Sequence, residues 1–160
     1  MIRVLFICLG NICRSPTAHG VFARQVADAG LGDQILVDSA GTSGWHNGAS
    51  PDVRSARHAL ANGYDLSFIK SRQVCEQDFV DQDLILAMDQ DNLAELQLRC
   101  PARYAHKLHL FLSFSEFDSL EVPDPYYGGE DGFSRVLTLV ELGGVGLLEH
   151  IRHNFSDVND

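Results

Sequence analysis

Basic residues are scarce in this chain: 12 Lys and Arg stand against 22 Asp and Glu, a formal net charge of −10 over 160 residues. That excludes the broad basic face by which proteins usually hold nucleic acid. It does not exclude a small anion, because a pocket can be positive on an acidic molecule. Cysteine is sparse as well, with four residues at positions 8, 13, 75 and 100. A secreted disulfide scaffold carries them far more densely. A four-cysteine zinc site needs close pairs, and only Cys8 and Cys13 are close in sequence, so no metal is expected. Long apolar runs are missing too. No window approaches the roughly 18 to 20 apolar residues of a membrane helix, so no membrane insertion is expected. The apolar run Ile2 to Ile7 is too short for a secretory leader and soon meets Gly10-Asn11, which makes the cytoplasm the expected location.

What is present suits a folded domain. Hydrophobic residues make up 45% of the chain, enough for a sizeable core, and a single domain over 1–160 is expected. Strand-like and helix-like stretches alternate, which predicts an α/β fold: an open, doubly wound, four-stranded parallel sheet with helices on both faces. Strands are expected at Ile2 to Ile7, Gln34 to Ser39, Asp83 to Met88 and Lys107 to Leu112. A first helix is expected over Thr17 to Ala29, with Ser15 as its N-cap and Pro16 in its first position. Ser50-Pro51-Asp52 signals a second helix start, with Ser50 as the cap, and Gly63 the stop. Tyr64 to Val80 reads as an irregular connection with one helical turn near Glu76 to Phe79. Asp89 caps a helix that ends before Pro101. Val122 to Asp131, with two prolines and two glycines, reads as a loop. A long last helix is expected over Gly132 to Ile151, where Gly143, Gly144 and Gly146 mark either close packing or a kink.

The stretch that carries chemistry is Cys8-Leu9-Gly10-Asn11-Ile12-Cys13-Arg14-Ser15-Pro16. It joins the first strand to the first helix. A helix N-terminus offers unpaired N–H groups and the positive end of a dipole, both suited to an anion. A loop of this length can curl so that the N–H groups of Leu9, Gly10, Asn11, Ile12 and Cys13 converge on a tetrahedral phosphate. Gly10 and Asn11 tolerate the positive φ that such a curl needs. The planar fork of Arg14 grips two oxygens at once. The same positive surroundings favour a Cys8 thiolate, and a thiolate is a nucleophile. With Arg14 and the loop supplying positive charge, no cofactor is required. Ligands of doubly wound sheets bind beyond the carboxyl ends of the strands, where this loop emerges.

The C-x5-R-S pattern resembles the signature of protein tyrosine phosphatases. The fuller string through Thr17-Ala18 resembles the low-molecular-weight protein tyrosine phosphatases in particular. Further resemblance lies in Asp38 to Thr42, in Leu84 to Asp89 and in Asp124-Pro125-Tyr126-Tyr127-Gly128, so it spans essentially the whole chain. The resemblance implies hydrolysis of phosphotyrosine in a protein partner through a cysteinyl-phosphate on Cys8. It implies Asp124 as the acid that protonates the leaving phenolate and then as the base toward water. Ser15 would donate a hydrogen bond to the sulfur. Asn11 would fix the loop, with Ser39 its expected partner. Many members also have a histidine after the second helix, which Leu66 to Gln73 lacks; His19 stands where an acidic residue is common. Trp45, Tyr126 and Tyr127 would wall in the substrate ring, and both tyrosines are candidates for phosphorylation. Cys13 would form a disulfide with an oxidised Cys8. Three alternatives remain open at this point. One is an arsenate reductase of the same fold, whose cysteine relay Cys75 and Cys100 do not resemble. Another is a phosphoarginine phosphatase, which typically has threonine in place of Ile12. The third is a non-catalytic phosphate-binding module. Oligomeric state is not legible.

Overall fold

The first strand, β1 (Ile2–Cys8), is apolar almost throughout because both of its faces are covered. Val4, Leu5, Phe6 and Ile7 are all fully buried, as expected for an inner strand of a parallel sheet. The computed structural model describes residues 1–116, 120–126 and 128–155. Its sheet has the order β2-β1-β3-β4, with β2 Ile35–Gly41, β3 Leu84–Ala87 and β4 Leu108–Leu110. Every pairing is parallel.

Alternate residues of β1 feed two cores. Val4, Phe6 and Cys8 pack with α1 (Arg14–Asp28) and α5 (Glu130–Asn154), through Val21, Phe22, Val140 and Leu147. Leu5 and Ile7 pack on the other face with α3 (Glu76–Asp81) and α4 (Gln90–Arg99), through Phe79 and Leu96. The doubly wound α/β fold read from the sequence is therefore the fold observed. A small third cluster, Ala59, Leu66 and Ile69, seats α2 (Val53–Ala61). No helix among the described residues is long and apolar enough to cross a membrane.

Several boundaries differ from expectation. The first helix starts at Arg14, with Cys13 in the capping position. Ser15 therefore lies inside the first turn and is not the N-cap. Asp52, not Ser50, caps α2 by accepting from the Arg54 N–H. Strand β2 runs on to Gly41, which pairs with Cys8. A Cβ at residue 41 would sit 2.7 Å from the Leu9 carbonyl oxygen, so the loop's close approach requires glycine there. Strand β4 stops at Leu110, and Phe111–Phe114 turns into a 3-10 helix. Helix α5 is continuous through its glycines, which mark close packing: a Cβ at Gly143 would meet Leu112 at 2.8 Å.

Candidate active site

Strand β1 lies between β2 and β3, where the chain reverses direction across the sheet. Cys8 sits at its carboxyl end, the place for a ligand in an open α/β sheet. The loop that follows curls at Asn11, whose φ is +55°. Its carbonyls are held from outside. Thr42 N–H donates to Cys8 O at 2.9 Å, Ser43 N–H to Leu9 O at 3.0 Å, and Asp52 N–H to Ile12 O at 2.7 Å. The Ser71 hydroxyl donates to Gly10 O at 2.9 Å. In a trans peptide the carbonyl and the next N–H point in opposite directions. Each outward carbonyl thus turns the N–H of Leu9, Gly10, Asn11 or Cys13 the other way, as an anion cradle needs.

At the floor, Cys8 Sγ lies 3.0 Å from Ser15 Oγ. The Asn11 amide donates to Ser15 Oγ at 2.8 Å, which leaves the hydroxyl proton for the sulfur or for Ala40 O at 3.4 Å. Cys8, Asn11 and Ser15 are all buried. The rest of the Asn11 network differs from expectation. Asn11 Oδ1 accepts from the Arg72 N–H at 3.1 Å, not from Ser39. Ser39 instead meets His19 Nδ1 at 2.9 Å. Helix α1 thus brings an imidazole to Ser39. Burial holds His19 toward its neutral form, against the pull of Asp38 and with help from Arg72.

Arg14 is 3% exposed. One end of its guanidinium pairs with Asp89 and donates to Val122 O at 3.0 Å. The other end faces Asp124 at 3.6 Å. Burial opposes its charge, but negative charge at the Cys8 sulfur, the hydrogen bond and charge of Asp89, and Asp124 outweigh that and keep it charged. Asp124 is 41% exposed at the side chain and accepts from the Tyr126 N–H at 3.0 Å.

A cleft with about 130 Å³ of free volume brings the parts together. Cys8, Leu9, Gly10, Ile12, Cys13 and Arg14 form its base, and Trp45, His46, Asp124 and Tyr126 its rim. Asn11 and Ser15 support it from below, while Ser39 lies one contact further out, on His19. Tyr127 falls outside the described residues. Trp45 stands largely free in solvent and Tyr126 is half-buried. Cys13 is a different kind of cysteine from Cys8. Burial pushes its thiol up to about 12, helped by Asp52 and Cys8 and opposed by a hydrogen bond with Ser55.

Four residues at the site were given no role there from the sequence: Asp89, His46, Asp52 and Arg54. Asp89 reads as a helix cap and is one, accepting from the Asn92 N–H, but its second oxygen holds Arg14. Its place after β3, beside β1 at the same sheet edge, is the signal that could have revealed it. His46 and the Asp52–Arg54 pair reach the rim only through tertiary contacts. Chemically, the arrangement offers a buried sulfur, a fixed cation, a ring of N–H groups and a carboxyl group around one anion-sized space.

Comparison with known proteins agrees with this geometry. A family model described as "Low molecular weight phosphotyrosine protein phosphatase" matches residues 3–157. A low molecular weight protein-tyrosine-phosphatase of Streptomyces coelicolor is 44% identical over 154 residues, covering 94% of this chain and 93% of that protein. The low molecular weight phosphotyrosine protein phosphatase of Homo sapiens is 40% identical over 139 residues, covering 83% of this chain and 85% of that protein. The crystal structure of a protein tyrosine phosphatase from Entamoeba histolytica, with Hepes in its active site, superposes with a TM-score of 0.93 at 40% identity. That match covers 96% of this chain and 98% of the other.

Proposed function

The chain belongs to the low molecular weight phosphotyrosine protein phosphatase family, a family of cysteine-dependent phosphatases, and we propose the following roles for its residues in phosphotyrosine hydrolysis. The phosphate dianion sits in the loop between Cys8 and Arg14, its oxygens held by the loop N–H groups and the Arg14 fork. The Cys8 thiolate attacks phosphorus as the phenolate leaves, and Asp124 gives the leaving oxygen its proton. Asp124, now a carboxylate, takes a proton from water as that water attacks the cysteinyl-phosphate. Inorganic phosphate and the Cys8 thiolate are released. The Ser15 hydroxyl, 3.0 Å from the sulfur, stabilises the thiolate as it departs. Asp89 keeps the guanidinium aimed during both steps.

The observation that carries this reading is that Cys8, Arg14 and Asp124, distant in sequence, line one cleft. Trp45 and Tyr126 at its rim suit a phenyl ring, so a protein phosphotyrosine is the proposed substrate. A cytoplasmic location and a protective Cys8–Cys13 disulfide under oxidation belong to the same reading. Turnover of p-nitrophenyl phosphate by the reduced protein at mildly acidic pH is the test. Cys8→Ser is expected to abolish turnover, and Asp124→Ala to lower it by roughly 10²–10⁴. A folded, reduced wild-type protein without turnover would refute the reading. An Asp124→Ala variant with normal rates on a poor leaving group would assign the acid elsewhere.

A further inference from the structure

We propose that Arg54 is a positioning residue that places the Asp124 carboxyl over the phosphate cradle by tying the Tyr126 main chain to Asp52. The inference rests on the role assigned above to Asp124.

Asp124 is weakly held by its own side chain, with Arg14 3.6 Å away and 41% of its surface in solvent. Among the described residues its other anchor is the Tyr126 N–H, at 3.0 Å. The placement of the acid therefore depends on what holds residue 126. Arg54 Nη2 donates to Tyr126 O at 2.9 Å. The same guanidinium grips Asp52 with two bonds of 3.2 Å, from Nε and from Nη2. Its central carbon lies over the Phe133 ring, 4.7 Å from the centroid, and over the Tyr126 ring at 5.6 Å. Asp52 is itself fixed to the cradle, because its N–H donates to Ile12 O at 2.7 Å. Four consecutive links thus run from the loop that binds phosphate to the carboxyl that protonates the leaving group.

The links need an arginine. A guanidinium can serve a carboxylate and a carbonyl in one plane while its face stacks on a ring. A lysine ammonium can take one of these partners but cannot stack as a plate. The bland reading is a surface ion pair capping α2, with side-chain exposures of 35% and 12%, which would add little stability and nothing to catalysis. The two readings differ in what they do to proton transfer. General-acid catalysis needs the acid within hydrogen-bond reach of the leaving oxygen, and a misplacement of about 1 Å can cost up to 10²-fold.

The test uses two substrates of equal ring size and different need for the acid: phenyl phosphate and p-nitrophenyl phosphate. For Arg54→Met, kcat/KM on phenyl phosphate is expected to fall about tenfold further than on p-nitrophenyl phosphate. Inhibition by inorganic phosphate should stay within about twofold of wild type, because the cradle is intact. Arg54→Lys should shift the substrate ratio in the same direction by less. Equal losses on both substrates, as a smaller folded fraction would produce, overturn the proposal, and so does a weakened phosphate affinity that accounts for the whole effect. If Arg54→Met does not fold, Arg54→Lys decides by the same ratio. Asp124→Ala measured alongside separates the two readings. If it leaves the ratio unchanged, Asp124 is not the acid and both fall. If it shifts the ratio and neither Arg54 variant does, only the role of Arg54 falls.

Discussion

Cys8 and Cys13 share one loop and one cleft, yet their surroundings set them to different work. Cys8 looks onto the Ser15 hydroxyl and a buried, charged Arg14. Cys13 is buried beside Ser55 and the Asp52 carboxylate, and burial above all drives its thiol up to about 12. A protonated Cys13 does not compete as a nucleophile, and it is slow to attack a Cys8 sulfenic acid, since exchange at sulfur proceeds through the thiolate. Disulfide formation should therefore gain on over-oxidation as pH rises. Mass mapping after mild peroxide at about pH 6.5 and about pH 9 is expected to show a rising ratio of Cys8–Cys13 disulfide to Cys8 sulfinic acid. A ratio independent of pH would mean that Cys13 ionisation does not limit closure. At this scale much of the site was legible. Cys8, Arg14 and the glycine-asparagine curl lie in one continuous string, and local chemistry is enough to read it. The true partner of Asn11 was not legible: Ser39 was expected, but the Arg72 N–H takes that place because the 71–72 segment lies across the loop. The same holds for Asp89, whose second oxygen finds Arg14 only once β3 lies beside β1.

The elements show where pattern alone runs out. Lys107 to Leu112 reads as one strand because a short apolar run has no periodicity to distinguish a strand from a packed turn. Phe111 and Leu112 are fully buried, and a 3-10 turn takes them under α5 where they fill one core together. The helix that covers them needs its glycines for the same reason. A Cβ on Gly146 would collide with the Phe114 carbonyl oxygen, and it would come within 3.2 Å of Ser115 Cα. These are backbone atoms, which cannot swing aside as a side chain can. Replacing a helical glycine by alanine normally gains up to about 1 kcal/mol in helix propensity. Overpacking typically costs about 1–3 kcal/mol. The second effect should win, so Gly146→Ala is expected to lower stability by roughly 1–2 kcal/mol in denaturant titrations. Gly32→Ala, where a Cβ meets nothing within 4 Å, is the control and should stay within about 0.5 kcal/mol. A stabilised Gly146→Ala would show that α5 and the 111–114 turn can slide apart cheaply. The α-helical and strand content was legible because buried inner strands and amphipathic helices carry strong signals. The ends were set by caps and contacts: Asp52 won over Ser50 by reaching the Arg54 N–H, and Ser15 gave up the cap to face the thiol.

For the whole molecule, acid should act in two separate stages. Burial lowers the pKa of His19, His109 and His150 below the 6.5 of a free imidazole, at α1, β4 and α5 respectively. Asp38 opposes the shift at His19 while Arg72 adds to it; at His109, neighbouring His150 and His106 add to it and a hydrogen bond with His106 opposes. His150 packs on Phe114 at 4.5 Å, and that ring also meets His109 at 5.3 Å. Because the folded values lie below the unfolded one, the unfolded chain binds more protons just below pH 6.5, and stability falls as pH drops through that window. The carboxyls of Asp52 and Asp78 act later. Burial raises them, but Arg54 and Arg72 with nearby N–H groups outweigh it, leaving both below the ordinary 3.8. Their contribution is present above that value and is lost below it. Protonation also reduces a net charge of −10, which relieves repulsion, but at about 0.15 M salt the Debye length of about 8 Å confines that benefit to near neighbours. The melting temperature should therefore fall in a first step just below pH 6.5 and a second below pH 3.8. Calorimetry in buffers of different ionisation enthalpy should find net proton uptake on unfolding near pH 6 and little near pH 8. The combined His19→Gln, His109→Gln and His150→Gln variant should flatten the first step and leave the second. An undiminished first step in that variant would place the acid sensitivity elsewhere in the molecule.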